Sequence, residues 1–160
     1  YLTWKAREYD QSTRFIELAG EINTAMPHYV VQRTVQALID QGARIKGASV
    51  VILGVAYKKD VDDVRESPAI KVVQLLRDQG IQVSYHDPYV PIYPKGRKGD
   101  LGIPSVNLTS KLLQSVNAAL ILTDHSCIDY KWVAEHAPLV IDTRNATQGI
   151  HGDKGKIVKS

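Results

Sequence analysis

Apolar residues in the first forty positions recur at helical spacing. Phe15, Leu18, Ala19, Ile22, Met26, Tyr29, Val30 and Ala37 fall three or four apart, with Arg33 in the same register. Pro27 stands inside this run. It has no N–H to donate and crowds the preceding turn, so a bend or brief interruption is expected there. Gly42 supplies a stop. The stretch is long for a helix inside a domain and precedes everything that reads as sheet. Residues 1–46 are therefore expected to form a long connecting or packing helix.

After Lys46-Gly47 the pattern changes. Residues 49–57 are almost continuously apolar, as in a strand buried on both faces of a parallel sheet. Ser67-Pro68 opens a helix, with Ser as N-cap and Pro in the first turn. Ile70, Val73, Leu75 and Leu76 give it a buried side, and Gly80 ends it. Residues 81–86 read as a second strand closed by Asp87-Pro88. A short helix over 109–116, a strand over 118–123, a helix over 131–136 and a strand over 139–143 follow. Strand and helix alternate, which predicts an α/β fold: a doubly wound, Rossmann-like parallel sheet preceded by the long helix. Residues 88–104, rich in Pro and Gly and carrying Lys95-Gly96-Arg97-Lys98-Gly99, read as a solvated surface loop. The polar tail from Gly149 reads as loosely held.

Composition narrows the class. The chain has 160 residues, 44% of them hydrophobic, enough for one α/β core over 47–160. A net charge of +3 is mild. The basic residues are scattered, without the stripe that nucleic-acid binding needs, and an anionic small ligand suits the balance. No run of about twenty apolar residues could span a membrane. Cys127 is the one cysteine, which excludes an internal disulfide and suits a reducing cytoplasm. The chain begins at Tyr1 rather than Met, from which a piece of a longer protein is expected. His28, His86, His125, His136 and His151 show no metal-ligand spacing, and no metal is assigned.

In a sheet of order 2-1-3-4, the ligand crevice lies at the carboxyl ends of the first and third strands. The residues leaving those ends are Tyr57-Lys58-Lys59-Asp60 and Asp124-His125-Ser126, and the fourth strand delivers Asp142-Thr143-Arg144 to the same edge. Lys58 or Lys59 and Arg144 thus face one mouth, which suits a diphosphate. No Gly-x-Gly-x-x-Gly follows the first strand, so backbone amides cannot seat a dinucleotide there in the usual way. Side-chain cations would replace that nest, although the connection over 58–66 also reads as a solvated charged loop. Asp124 raises the alternative of a phospho-acceptor receiver domain. Such a domain needs an acidic pair where this chain has Lys58 and Lys59.

The block Ile52-Leu53-Gly54-Val55-Ala56-Tyr57-Lys58-Lys59-Asp60-Val61-Asp62-Asp63-Val64-Arg65-Glu66-Ser67-Pro68 resembles the opening of the C-terminal domain of the UDP-glucose/GDP-mannose dehydrogenase family. Tyr1-Leu2-Thr3-Trp4-Lys5-Ala6-Arg7-Glu8 and Phe15-Ile16-Glu17-Leu18-Ala19-Gly20-Glu21-Ile22-Asn23 are similar to the start of that family's central helix. Tyr85-His86-Asp87-Pro88 and Ile141-Asp142-Thr143-Arg144-Asn145 match as well, and the wording is nearest to the branch acting on UDP-N-acetylhexosamines. The resemblance implies oxidation of the C6 alcohol of a UDP-sugar to a carboxylate with two NAD⁺. It also implies that the nucleophilic cysteine sits in a Gly-Gly-x-Cys segment upstream of Tyr1. On that basis no catalytic residue is assigned within the chain, which is expected to be inactive alone, and Cys127 is read as a plain structural cysteine. Tyr57, Lys58 and Arg144 match substrate-binding positions, and Arg65 matches a residue touching NAD across a domain cleft. The family's central helix pairs with its twin, so a homodimer through residues 1–46 is expected. A nucleotide-binding regulatory module without an enzyme attached is the remaining alternative.

Overall fold

The structure is a computed structural model, and it describes residues 14–94, 100–150 and 156–160. The segment Tyr1 to Glu8 with Trp4, the basic cluster Lys95 to Gly99, and His151 lie outside the described residues.

Helix α1 (Arg14–Asp40) runs through Pro27 without the interruption expected there. Pro27 is buried, and so are Val30, Val31, Thr34, Ala37 and Leu38. The C-terminal half of α1 therefore packs on the sheet. Its N-terminal half does not: Phe15 is 89% exposed, and Ile22 and Tyr29 about half. The chain then forms β1 (Ser49–Leu53), α2 (Ala69–Asp78), β2 (Gln82–His86), α3 (Ser110–Ser115), β3 (Ala118–Ile121), α4 (Tyr130–His136), β4 (Val140–Asp142) and β5 (Ile157–Lys159).

The five strands make one sheet of order β2-β1-β3-β4-β5, every neighbouring pair parallel. Side chains of a strand alternate between faces, and burial follows that alternation. Val50 and Ile52 of β1, Ala118 and Leu120 of β3 and Ile141 of β4 join the core under α1 and α2. Val51, Leu53, Ala119, Ile121 and Val140 join a second core under α3 and α4. Four consecutive β1 residues, Val50 to Leu53, have no exposed surface, each worth about 2 kcal/mol of burial. This explains the unbroken apolar run in the sequence.

Helix ends follow local chemistry. Pro68 is already helical (φ −73°, ψ −8°), and Ser67 Oγ accepts from the Ala69 N–H at 3.2 Å. Thr109 and Asp129 cap α3 and α4 by accepting from the N–H groups of Leu112 and Trp132. Trp132 packs against the His136 ring, with centroids 4.8 Å apart.

Two expectations need correction. The described end of the tail is not loose: β5 pairs with β4, Ile157 and Val158 add apolar surface to the two cores, and Lys159 Nζ lies 2.7 Å from Asp142 Oδ2. The β2–α3 connection is not simply solvated either. Val90, Tyr93 and Leu101 are buried, Ile92 and Pro104 form a bridge, and Tyr93 Oη donates to the Val64 carbonyl at 3.3 Å.

Candidate functional site

After its first strand the chain doubles back to form β2 on one side of β1, then crosses to form β3 on the other. The crevice at the β1 and β3 carboxyl ends is thus the switch point at which such folds bind ligands. Gly54 makes the approach possible. Its φ is +79°, and a Cβ there would lie 2.4 Å from the Thr123 carbonyl oxygen, a contact that only glycine avoids. Just beyond, Thr123 Oγ1 donates to the Ala56 carbonyl at 2.6 Å and ties the two strand exits together.

A cavity of about 470 Å³ opens at this edge. One wall is α1, with Asn23, Met26, Pro27 and Val30. The start of α2 (Ser67, Pro68, Ala69) and the exits of β1, β3 and β4 complete it, including Tyr57, Thr123, Thr143 and Arg144. Two of the four residues expected to bind ligand, Tyr57 and Arg144, therefore line one cavity. Lys58 and Arg65 do not line it. Lys58 Nζ lies over the Tyr57 ring, 5.4 Å from its centroid.

Lys59 turns elsewhere. Its Nζ is 4.0 Å from Asp124 Oδ2, while Arg144 Nε is 3.4 Å from Asp124 Oδ1. One carboxylate thus stands between a cation from the β1 exit and a cation from the β4 exit. Arg65 points outward, with a side chain 85% exposed and paired to Asp63 through Nε at 3.0 Å and Nη2 at 2.8 Å. The Arg65 hydrogen bonds pull the Asp63 carboxyl down to about 2.

Two buried carboxylates hold the loops in place. Asp87 Oδ2 accepts from the Val55 and Ala56 N–H groups at 2.7 and 3.0 Å, and Oδ1 from those of Tyr89 and Val90 at 2.8 and 3.1 Å. His125 Nε2 reaches the same Oδ2 at 3.1 Å. Burial works against the charge of Asp87, but the hydrogen bonds from His125, Val55 and Tyr89 outweigh it and keep the carboxyl below its usual range. Asp142 does the same at the β4 exit. Burial again opposes ionisation, and Lys159, Thr147 and the Arg144 N–H override it, holding the carboxyl well below the usual range.

The sequence places Asp87 at the end of the second strand and His125 at the exit of the third, and gives neither a role in the site. Their partnership joins positions 38 apart, which no local pattern reveals. His86 does end a strand, and its Nδ1 donates to the Val106 carbonyl at 2.8 Å. Cys127 is exposed. Among the described residues, no three His, Cys, Asp or Glu side chains converge as metal ligands, and no helix is long and apolar enough to cross a membrane.

The N–H groups of Val55, Ala56, Tyr57, Asp60 and Arg65 are donated within the protein, so these five cannot cradle a pyrophosphate, and the β1–α2 connection does not by itself offer NAD the usual seat of glycine amides.

Fold and site together define a doubly wound α/β domain with a cavity at its switch point, lined by Arg144 and with Lys58 close by on the β1 exit. Residues 51–149 match the UDP-glucose/GDP-mannose dehydrogenase family, UDP binding domain, and the chain belongs to this family. It is 31% identical over 152 residues to the UDP-N-acetyl-D-mannosamine dehydrogenase of Methanocaldococcus jannaschii, covering 89% of this chain and 32% of that protein. It is 33% identical over 116 residues to the NDP-N-acetyl-D-galactosaminuronic acid dehydrogenase of Ralstonia nicotianae, covering 72% and 26%. Among solved structures, the NDP-N-acetyl-D-galactosaminuronic acid dehydrogenase of Methanosarcina mazei superposes with a TM-score of 0.73 at 29% identity, covering 89% of this chain and 30% of that one. The UDP-D-ManNAc dehydrogenase of Pyrococcus horikoshii shares the fold, with a TM-score of 0.75 at 24% identity over 96% and 35% of the two chains. The chain spans between 26% and 35% of the length of these relatives.

Proposed function

We propose that this chain binds the nucleoside diphosphate part of a UDP-sugar and serves, within a nucleotide-sugar 6-dehydrogenase, to hold the substrate while its C6 alcohol is oxidised to a carboxylate with NAD. The observation that carries this reading is the cavity at the switch point, which combines an apolar wall with cations on its rim. Met26, Pro27, Val30 and Val72 offer surface for a base. Arg144 on the wall and Lys58 beside Tyr57 offer charge for the diphosphate, and Tyr57 gives the aromatic face. Because the N–H groups of Val55, Ala56 and Tyr57 at the β1 exit are already engaged, charge-assisted hydrogen bonds from side chains supply the main recognition of the diphosphate. Arg65, exposed on the outer side of the same loop, is positioned to meet a cofactor held by residues other than these. The apolar, exposed N-terminal half of α1 supports pairing with a second copy.

Calorimetric titration with UDP and with uridine tests the reading. UDP is expected to bind, and uridine to bind far more weakly, since the rim cations address phosphate. Equal affinity for the two, or binding of neither, would contradict it.

A further inference from the structure

The loop that carries Tyr57 and Lys58 is closed on itself, the Tyr57 N–H donating to the Asp63 carbonyl at 2.7 Å. At its middle stands Asp60, a non-glycine residue with φ +59°. L-residues avoid that region, so other contacts must hold it there. Two do. The Asp60 carboxylate accepts from Ser126 N–H at 2.7 Å and Ser126 Oγ at 2.6 Å, and these bonds hold it below its usual range. The Asp60 N–H in turn donates to His125 Nδ1 at 3.0 Å.

That last bond fixes the chemistry of the ring. Nδ1 accepts and so carries no proton, and Nε2 must carry it and donate to Asp87 Oδ2, 3.1 Å away. His125 is fully buried and packs against the Tyr89 ring at 4.9 Å. Asp87 is anchored by four backbone N–H groups, which leaves the imidazole one orientation. A chain of contacts thus runs from the floor of the sheet, through the ring, to the tip of the loop.

We propose that His125 is a positioning residue of the nucleotide site: as the neutral Nε2–H tautomer it joins buried Asp87 to the Asp60 amide and holds the loop that presents Tyr57 and Lys58. This assignment rests on reading the same edge as the nucleotide site. His125 itself touches no ligand. Its contribution is to fix the loop before ligand arrives, so that ordering it does not have to be repeated at each binding event.

The two ring nitrogens can be imitated separately. Asparagine places an acceptor near the Nδ1 position, and glutamine places a donor near the Nε2 position. In calorimetric titrations of the chain with UDP, His125→Ala is expected to weaken binding about tenfold, the size of one lost hydrogen bond. His125→Asn, which restores the acceptor for Asp60, should recover most of that loss. His125→Gln, which restores only the donor to Asp87, should not. Amide hydrogen exchange gives a readout without ligand: Asp60 should be protected in the wild type and in His125→Asn and unprotected in His125→Gln, with Val51 and Ile52 protected in all three. Equal UDP affinity of the Asn and Gln variants, or an unprotected Asp60 amide in the wild type, would overturn the proposal. A long-range nitrogen–proton spectrum of the wild type decides the tautomer without any variant, and a proton on Nδ1 would be equally fatal. If the wild type binds no UDP, the nucleotide reading fails, while exchange at Asp60 still decides whether His125 fixes the loop.

Discussion

Arg144 Nε and Asp124 Oδ1 meet at 3.4 Å across the carboxyl ends of β3 and β4. The pair keeps the guanidinium at the rim of the cavity, half-exposed and partly neutralised. On the proposed reading, an entering diphosphate would find a cation already placed, at the cost of competing with one carboxylate. Charge-assisted hydrogen bonds of about 1.5–3 kcal/mol are at stake. Arg144→Ala is expected to weaken UDP binding by about one to two orders of magnitude, and Asp124→Asn to leave it unchanged or strengthen it. Lys58→Ala should resemble Arg144→Ala, whereas Lys59→Ala should have the smaller effect. Calorimetry with UDP measures all four, and a larger loss for Lys59→Ala than for Lys58→Ala would move the phosphate contact to the other lysine.

The fold was largely legible in the sequence because burial on both faces writes itself locally. The apolar run through Val50 to Leu53 marks β1, and Gly80 marks the end of α2. Alternation points to a doubly wound sheet without fixing its strand order, and the order assumed for the first four strands is the one found. Strand β5 was not legible, since three residues, Ile157 to Lys159, pair only because β4 has an open edge. Within the site, Tyr57 and Arg144 could be placed at one edge by counting from strand ends. The partners that fix them could not. Asp124 and Arg144, or Asp87 and His125, meet through topology, and no spacing along the chain encodes that.

Arg65 and Asp63 form an exposed pair, and such pairs contribute little to stability. Their effect is on titration. Arg65→Ala is expected to release the Asp63 carboxyl from about 2 toward its ordinary value, near 4, while UDP affinity changes by less than about twofold. A carboxyl-carbon NMR titration follows the first and calorimetry the second. An unmoved Asp63 would show that another group holds it down.

Acid should act through Asp142 and Asp87. Both have folded-state values below their unfolded ones, so their contribution is complete above about pH 4 and drains away as pH falls through the folded values. The apparent melting temperature should therefore decline below about pH 4. Asp142→Asn should be less stable at neutral pH and show a shallower acid decline. Thermal unfolding followed by circular dichroism across this range checks it, and parallel curves for the two proteins would discount Asp142.

Gly54 has no tolerable substitute. Gly54→Ala combines a disfavoured φ of +79° with a Cβ 2.4 Å from a carbonyl oxygen, and a loss of about 3 kcal/mol or more is expected. Urea unfolding measures it. A loss under about 1 kcal/mol would mean that the exits of β1 and β3 can part without penalty.

The exposed half of α1 should mediate self-association. With Phe15 at 89% and Ile22 at 52% exposure, replacing both by serine is expected to shift the chain toward monomer. Light scattering coupled to gel filtration reads the mass, and a wild-type monomer at high concentration would remove the basis for the pairing.

Asp87 and Asp142 have a joint consequence for how such a domain can diversify. Each takes up several main-chain donors of a strand exit, so those groups belong to the frame. On the proposed reading, what greets a ligand is then a set of side chains on a frame built largely without them. Replacing Tyr57, Lys58 or Arg144 one at a time can retune preference for one nucleotide over another while the frame stays put. A phosphate cradle made of glycine amides has no such freedom, because there the frame and the recognition surface are the same atoms.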